Sequence, residues 1–290
     1  MNYTLSSKLS PMWALSQYGS IVVSGPDAVP YLQGQVSFDM TRLTPGRMEL
    51  AGCNSAQGRV QALLWMLARE DGIALVLSSA LVDSTLARLR KYILRSKVKV
   101  ESGVDKFVVC GADGAIEGDE RTHIQDGDVS MVRWPGGSRS LLLTPNSTSA
   151  GTDESFARRW HLEDIRAGVP YVGSETHEAF VAQMLNVDLL GGIGFEKGCY
   201  TGQEIIARTH FRGTVKRRML RFQAECPAPS PGTRILNAGS HAGDVVDATQ
   251  TPNGCELLAV ISLAQREARL ELENAPGVGL RELSLPYPIN

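Results

Sequence analysis

From about Val215 onward the sequence carries no helical period. Short β-type runs at 219–222, 244–246, 257–263 and 268–272 alternate with turns such as Pro231-Gly232 and Asn253-Gly254. Evenly spaced short strands with Gly, Pro and Asn between them are the mark of a small antiparallel barrel or sandwich. The preceding two-thirds read differently, alternating strand-like and helix-like segments. The shift of pattern places a boundary near 212–216, giving expected domains of 1–212 and 213–290. A length of 290 residues, at roughly 150 residues per domain, agrees with two such units.

Within the first unit, 20–24 is a β-rich run closed by Ser24-Gly25-Pro26, and Asp27 is placed to cap a short helix with Pro30 in its first turn. Strands are expected at 47–53 and 59–68, around the turn Asn54-Ser55-Ala56-Gln57-Gly58. Asp71-Gly72 then folds the chain back into 73–77 as a hairpin. Asp83 or Ser84 caps a helix running to about Leu94, with Leu86, Leu89, Tyr92 and Ile93 on one face. Further strands are expected at 106–110, 129–134 and 140–143. A second helix begins after Thr152 with Asp153 and Glu154 in its first turn, carries Phe156 and Trp160 at i,i+4, and stops at Gly168 before Pro170.

Composition excludes several classes. With 43% hydrophobic and 21% charged residues the chain is globular rather than disordered. The longest apolar run, 62–68, is far short of the roughly 20 residues that span a bilayer, and no basic segment followed by an apolar one opens the sequence as a secretory signal. Five cysteines without CxxC spacing argue against a disulfide framework or a zinc ribbon. The expectation is a cytoplasmic protein with no membrane partner and no metal site.

The most distinctive stretch runs from Gly191-Gly192-Ile193-Gly194 through Lys197-Gly198-Cys199-Tyr200-Thr201-Gly202-Gln203-Glu204. Thr201 or Gly202 can cap a helix starting at Gln203. Cys199 then lies just before a helix N-terminus and two residues from Lys197, and both features favour a reactive thiol. A competing reading makes Cys199 a small packed residue in a tight loop. The glycines have neither the dinucleotide nor the P-loop spacing.

Charge is segregated. Six Arg or Lys and no acid lie between Ile205 and Ala224 (Arg208, Arg212, Lys216, Arg217, Arg218, Arg221), and six more with no acid between Ser84 and Val100 (Arg88, Arg90, Lys91, Arg95, Lys97, Lys99). Each run alone reads as a solvated face. Together they suggest an anionic ligand or a phosphate backbone, despite a formal net charge of −2.

Lys197 to Glu204 matches the K-G-C-Y-x-G-Q-E signature of the YgfZ-type folate-binding proteins. These are relatives of the glycine-cleavage T-protein (aminomethyltransferase) and of the mitochondrial iron–sulfur assembly factor of that superfamily. Tyr31-Leu32-Gln33-Gly34-Gln35-Val36, Gly58-Arg59-Val60, Arg166-Ala167-Gly168-Val169-Pro170, Asn186 with 189–194, Arg208, Arg212-Gly213, Lys216-Arg217 and Leu285-Pro286-Tyr287 also fit family positions in order. The resemblance covers essentially the whole chain. It implies an α+β, aminomethyltransferase-like folate-binding fold of two intertwined subdomains followed by a small antiparallel β-barrel, around a central channel. It also implies a ligand, tetrahydrofolate or a one-carbon derivative. Trp160 matches an aromatic position that bacterial members use against folate, and its partner, often Trp there, aligns with Tyr18, a departure that keeps a flat ring. Two such rings can sandwich a pterin or aminobenzoyl group, although Trp160 can equally be a core anchor paired with Phe156. Lys197, Tyr200, Gln203, Glu204, Arg208 and Arg212 join them as candidate cofactor-binding residues.

Two departures from the T-protein pattern bear on activity. Where T-proteins carry an acidic pair, this chain reads Gln57-Gly58-Arg59-Val60-Gln61-Ala62, and Gln61 cannot exchange a proton as a general acid or base must. The acid that T-proteins place before Ala-Gly is Arg166 here. The resemblance therefore implies a folate-binding protein that supports iron–sulfur cluster assembly or repair, and through it cluster-dependent enzymes such as those modifying tRNA. Cys199 would be its functional thiol, and iron–sulfur proteins or assembly factors its transient partners. One thiol cannot hold a cluster that needs several thiolates, so any cluster role is shared or indirect. An active aminomethyltransferase and an RNA-binding module are the alternatives.

Overall fold

The computed structural model describes residues 11–289. In chain order the first strands are β1 (Met12–Ala14), β2 (Tyr18–Ser24), β3 (Met48–Asn54), β4 (Val60–Arg69), β5 (Gly72–Ser78) and β6 (Lys99–Ser102). They are followed by β7 (Phe107–Asp113), β8 (His123–Asp126), β9 (Val129–Arg133) and β10 (Arg139–Pro145). The last group is β11 (Arg217–Ala224), β12 (Arg234–Asn237), β13 (Ser240–Thr251), β14 (Gly254–Ser262), β15 (Leu270–Leu272), β16 (Ala275–Gly279) and β17 (Arg281–Leu283). The α-helices are α1 (Ala28–Gln33), α2 (Val82–Lys91), α3 (Glu154–Arg166) and α4 (Gln203–Arg212).

Three antiparallel sheets result, with strand orders β3-β4-β5-β2-β6, β1-β7-β10-β9-β8 and β16-β15-β12-β13-β14-β11-β17. The chain starts in the second sheet, crosses to build the first, and returns to complete the second, so the two are interleaved. The edges of the third sheet are consecutive in the chain, joined through Leu280, whose N–H donates to the Leu270 carbonyl. That sheet is thereby curled until its two edges are bridged covalently. Along β14 the side chains divide with the strand period of two. Leu257, Ala259 and Ile261 pack inside the curled sheet, while Leu258 and Val260 join a core shared with the first two sheets.

Local chemistry explains the elements that position the site. The Asp153 carboxylate accepts from the N–H groups of Ser155 (2.7 Å) and Phe156 (3.1 Å), capping α3. Phe156, Trp160 and Asp164, one helical turn apart, form its buried stripe. The helix ends at Gly168, whose φ of +65° only glycine adopts without strain. A Cβ there would also come within 2.7 Å of Leu285 and Tyr287.

Other expectations are corrected. Asp27 precedes α1 but makes no side-chain cap; its carboxylate accepts instead from the Lys97 N–H at 2.7 Å. Neither Asp83 nor Ser84 caps α2, which starts at Val82 with Leu81 in the cap position. That helix stops at Lys91, because Leu94 takes φ +47° and the chain leaves in tightened turns. Tyr92 is consequently 43% and Leu94 88% exposed. Among the described residues no helix is long and apolar enough to cross a membrane.

Candidate functional site

A cavity of about 540 Å³ lies within the range typical of small-molecule sites. Trp65 reaches it from β4, Arg47 and Arg121 from the segments before β3 and β8, and Arg166 and Gly168 from the end of α3. Leu189, Leu190, Pro286 and Tyr287 complete the wall. The Arg121 guanidinium lies 5.2 Å from the Trp65 ring centroid and donates to the Leu190 carbonyl at 2.8 Å. Tyr287 Oη donates to the Gly168 carbonyl at 2.8 Å, so the closing segment of the chain is tied to the end of α3. Burial pushes that phenol up to about 12. Glu120 and Glu163 add carboxylates to the lining.

Arg166 is held in a salt-bridged triad. Its Nη2 is 2.6 Å from Glu256 Oε1, while Arg221 Nη2 meets Glu256 Oε2 at 2.9 Å. Burial opposes the charge on Glu256, but the two guanidiniums outweigh it and hold the carboxyl below its usual range. The triad carries one net positive charge beside the cavity, where the transferase pattern has an acid.

The expected sandwich of Tyr18 and Trp160 does not form. The Trp134 ring lies between them, 5.9 Å from Tyr18 and 6.2 Å from Trp160 by centroids. Trp160 is 2% exposed, packs against Phe156 at 5.9 Å, and lines no part of the cavity. A Cβ on Gly111 would come within 2.7 Å of its ring, so the indole fills a glycine-made hollow in β7. Asp164 organises the cluster: its Oδ1 accepts from Trp134 Nε1 (2.7 Å) and Arg139 Nη2 (2.8 Å), and its Oδ2 from Tyr18 Oη (3.2 Å). Tyr18 faces a smaller pocket of about 250 Å³ with His161, Asp164, Tyr171 and Asp247.

The glycine-framed loop has a different logic from the one its sequence suggests. The Lys197 ammonium turns inward and donates at 2.7 Å to the carbonyls of Gln33, Val36 and Phe38. All its protons are engaged there, and none pairs with the Cys199 thiol. Burial pulls the ammonium down to about 8, with Asp39 opposing. Gln203 clasps the loop, its Nε2 donating to the Lys197 carbonyl (3.4 Å) and its Oε1 accepting from the Tyr200 N–H (3.3 Å). Cys199 stands exposed on the arch between, whereas Cys53, Cys110 and Cys255 are buried. Gly202, at φ +83°, opens α4. Glu204 pairs with Arg208 at 2.6 Å, and Tyr200 is buried. None of Lys197, Tyr200, Gln203, Glu204, Arg208 or Arg212 reaches the cavity.

Gln61 Nε2 donates to Glu178 Oε1 at 2.6 Å, and its own Oε1 is buried without a partner. Trp65 and Arg121 escaped sequence reasoning. Trp65 sits in an unbroken apolar run that reads as core, and Arg121 carries no motif, only a non-glycine φ of +69°.

The second basic stretch is largely neutralised by acids from distant strands and loops. Arg218 binds Asp188 (2.6 Å), Arg217 approaches Asp244 (3.8 Å), and Arg221 shares Glu256.

No protein-family model matches the chain. Among curated proteins it is similar to the "tRNA-modifying protein YgfZ" of Klebsiella pneumoniae (strain 342), with 32% identity over 275 residues, covering 86% of this chain and 82% of the relative. The protein of the same name from Pectobacterium carotovorum subsp. carotovorum (strain PC1) is 31% identical over 276 residues, covering 86% and 83%. Among solved structures, the glycine cleavage system aminomethyltransferase T from Bartonella henselae superposes with a TM-score of 0.77 at 16% identity, covering 95% of this chain and 85% of that one. That likeness shows the fold: α+β and aminomethyltransferase-like, as the sequence resemblance implied.

Proposed function

This chain belongs to the YgfZ family, and we propose that it is a cytoplasmic tetrahydrofolate-binding protein supporting tRNA modification through iron–sulfur cluster assembly or repair. The observation that carries the ligand is the composition of the large cavity. Trp65, buried with Arg121 over its ring, adds aromatic surface to the wall. Arg47, Arg121 and Arg166 line it with guanidiniums, the first and last also paired with Glu49 and Glu256, and Glu120 and Glu163 add carboxylates. A reduced folate has all three kinds of partner, so the residues present fit the group. Bound there, it would supply one-carbon chemistry.

The protein's own residues favour binding over transfer. Gln61 has no proton to exchange near neutral pH, and the fixed Arg166–Glu256–Arg221 triad replaces a carboxylate by a guanidinium. The first departure removes the general base of the aminomethyltransferase reading, and the second removes the acid expected to contact the pterin ring. Cys199, exposed on the Gln203-clasped arch, is the thiol that would meet a cluster or an assembly factor, with the remaining ligands supplied by the partner.

Titration calorimetry with 5-formyltetrahydrofolate tests the ligand. Wild type should bind, and Arg166→Ala and Trp65→Ala should weaken binding at least about tenfold, the loss of one charged or stacking contact. Absence of binding by wild type removes the reading. The thiol is tested separately by Cys199→Ala in cells lacking the native protein, where full rescue of cluster-enzyme activity would exclude a role for Cys199.

A further inference from the structure

We infer that the end of the molecule carrying Cys199 is a binding face for single-stranded RNA, formed where the two acid-free basic stretches meet. The two stretches are far apart in sequence, yet both flank the turn that joins β3 to β4. On one side Arg88 of α2 donates to the Asn54 carbonyl and to Cys53 Sγ, each at 3.0 Å. On the other, a Cβ at Gly202 would lie 2.5 Å from the Ser55 carbonyl oxygen, and one at Gly58 would lie 2.9 Å from Ile205 Cβ of α4. One short turn is therefore packed between α2 and the start of α4.

The charge on this face is cancelled only in part: in the second stretch Arg208, Arg217, Arg218 and Arg221 are paired with acids, and the first stretch is mostly unpaired. Of the first stretch, Lys99 pairs with Glu101. Arg88 and Arg90 donate to neutral backbone carbonyls, which position a guanidinium without neutralising it. Lys91, Arg95 and Lys97 are exposed, and among the described residues their side chains form no salt bridge. The same holds for Arg212 and Lys216 beyond α4. The acids beside them include Glu204, engaged by Arg208, Asp27, which accepts from the Lys97 backbone, and the exposed Asp83 in the first turn of α2 and Glu196.

Aromatic rings stand among these cations, a feature hidden in the sequence. Phe195 stacks on His210 with centroids 3.6 Å apart, and Phe211 closes against both rings while remaining 65% exposed. On the opposite flank Tyr92, also exposed, carries Arg88 at 5.6 Å over its ring. Tyr92 is covered by Arg88 and Lys91, whereas Phe211 presents an open ring, and such a ring beside unpaired cations suits a strand whose phosphates neutralise the cations while a base stacks. This face is separate from the folate cavity, so RNA binding and folate binding can fail independently.

The test is fluorescence anisotropy with a labelled oligouridylate of about 12 nucleotides at about 50 and about 200 mM salt. Wild type should bind, with affinity falling steeply as salt rises. The double substitution Lys91→Glu and Arg95→Glu, and Arg212→Glu separately, should each weaken binding about tenfold or more. Phe211→Ala should weaken it about fivefold or more, as loss of one stacked base does, without changing the salt slope. Arg281→Glu, on the edge strand β17, should stay within about twofold, since it alters net charge but not this face. The inference is overturned by absent binding at low salt, by equal losses in Arg281→Glu, or by labelled polyglutamate binding more tightly than RNA.

Discussion

Replacing Lys197 with methionine separates two roles that its sequence position confounds. Beside Cys199 in the chain, the lysine invites a role in activating the thiol; in the fold it braces three carbonyls of the segment after α1. The substitution keeps an apolar stem of similar length and deletes three N–H···O contacts of 2.7 Å. Charge-assisted bonds of this kind contribute about 1.5–3 kcal/mol each, roughly 5–9 in all. Methionine escapes the dehydration that lowers the ammonium to about 8, a saving of about 3 kcal/mol. The expected net loss is about 2–6 kcal/mol of unfolding free energy, read from the denaturant midpoint at unchanged slope. In the same samples, below the transition, the fast phase of Cys199 reaction with a chromogenic disulfide should proceed at the wild-type rate. An unchanged midpoint together with a slowed thiol reaction would refute the bracing role and restore the activating one.

Other perturbations follow from the same geometry. For His161, burial opposes the charge, but the hydrogen bond and charge of Asp247 outweigh it and hold the imidazole proton above its ordinary range. A folded value above the unfolded one stabilises fully below about pH 6.5 and ceases to do so as pH rises through the folded value. The stability gap between wild type and Asp247→Asn should therefore narrow as pH rises from the ordinary imidazole range through the raised folded value, and a constant gap would contradict it. Trp160→Ala should cost about 3–5 kcal/mol in guanidinium titration as a core truncation, while the folded fraction binds folate as wild type does; selective loss of folate affinity would return Trp160 to the binding wall. Gly202→Ala should destabilise by at least about 1–2 kcal/mol, because φ +83° is unfavourable for alanine and its Cβ would meet the backbone of Ser55 and Gly58. Asp164→Ala removes the closest carboxylate from the buried Arg139 guanidinium, leaving Glu163 at 3.5 Å, and should cost up to about 3–5 kcal/mol, measured by the same titration.

Features set by neighbours along the chain were legible in the sequence. Asp153 and Gly168 bracket α3, Gly202 opens α4, and the turns after Val215 mark the strands of the curled sheet, because capping, left-handed φ and strand period are all local. Features set by distant partners were not. Asp188, Asp244 and Glu256 neutralise much of a basic stretch that looks unbalanced when read alone, and each comes from another part of the fold. The direction of Lys197 was equally hidden: it and Cys199 are two residues apart, yet one side chain is buried under α1 and the other is exposed. Trp65 could not be distinguished from its apolar neighbours, since facing a cavity and facing a core demand the same residue type. Tyr18 and Trp160 each lie against Trp134, which belongs to a segment whose proximity depends on sheet pairing and so was hidden.

The bond from Tyr287 to Gly168, spanning 119 residues of sequence, has a consequence for biosynthesis. Trp65, Arg121 and Arg166 all leave the ribosome well before Pro286 and Tyr287 do, and the contacts between their sheets are available from that moment. A nascent chain can thus collapse its interleaved sheets early and carry a half-walled trough during synthesis of the curled sheet. Such long-range closure is intrinsically slow. The pocket acquires its last wall only when residue 287 is free to reach back. Folding order, and not only folded shape, then determines when the site first exists.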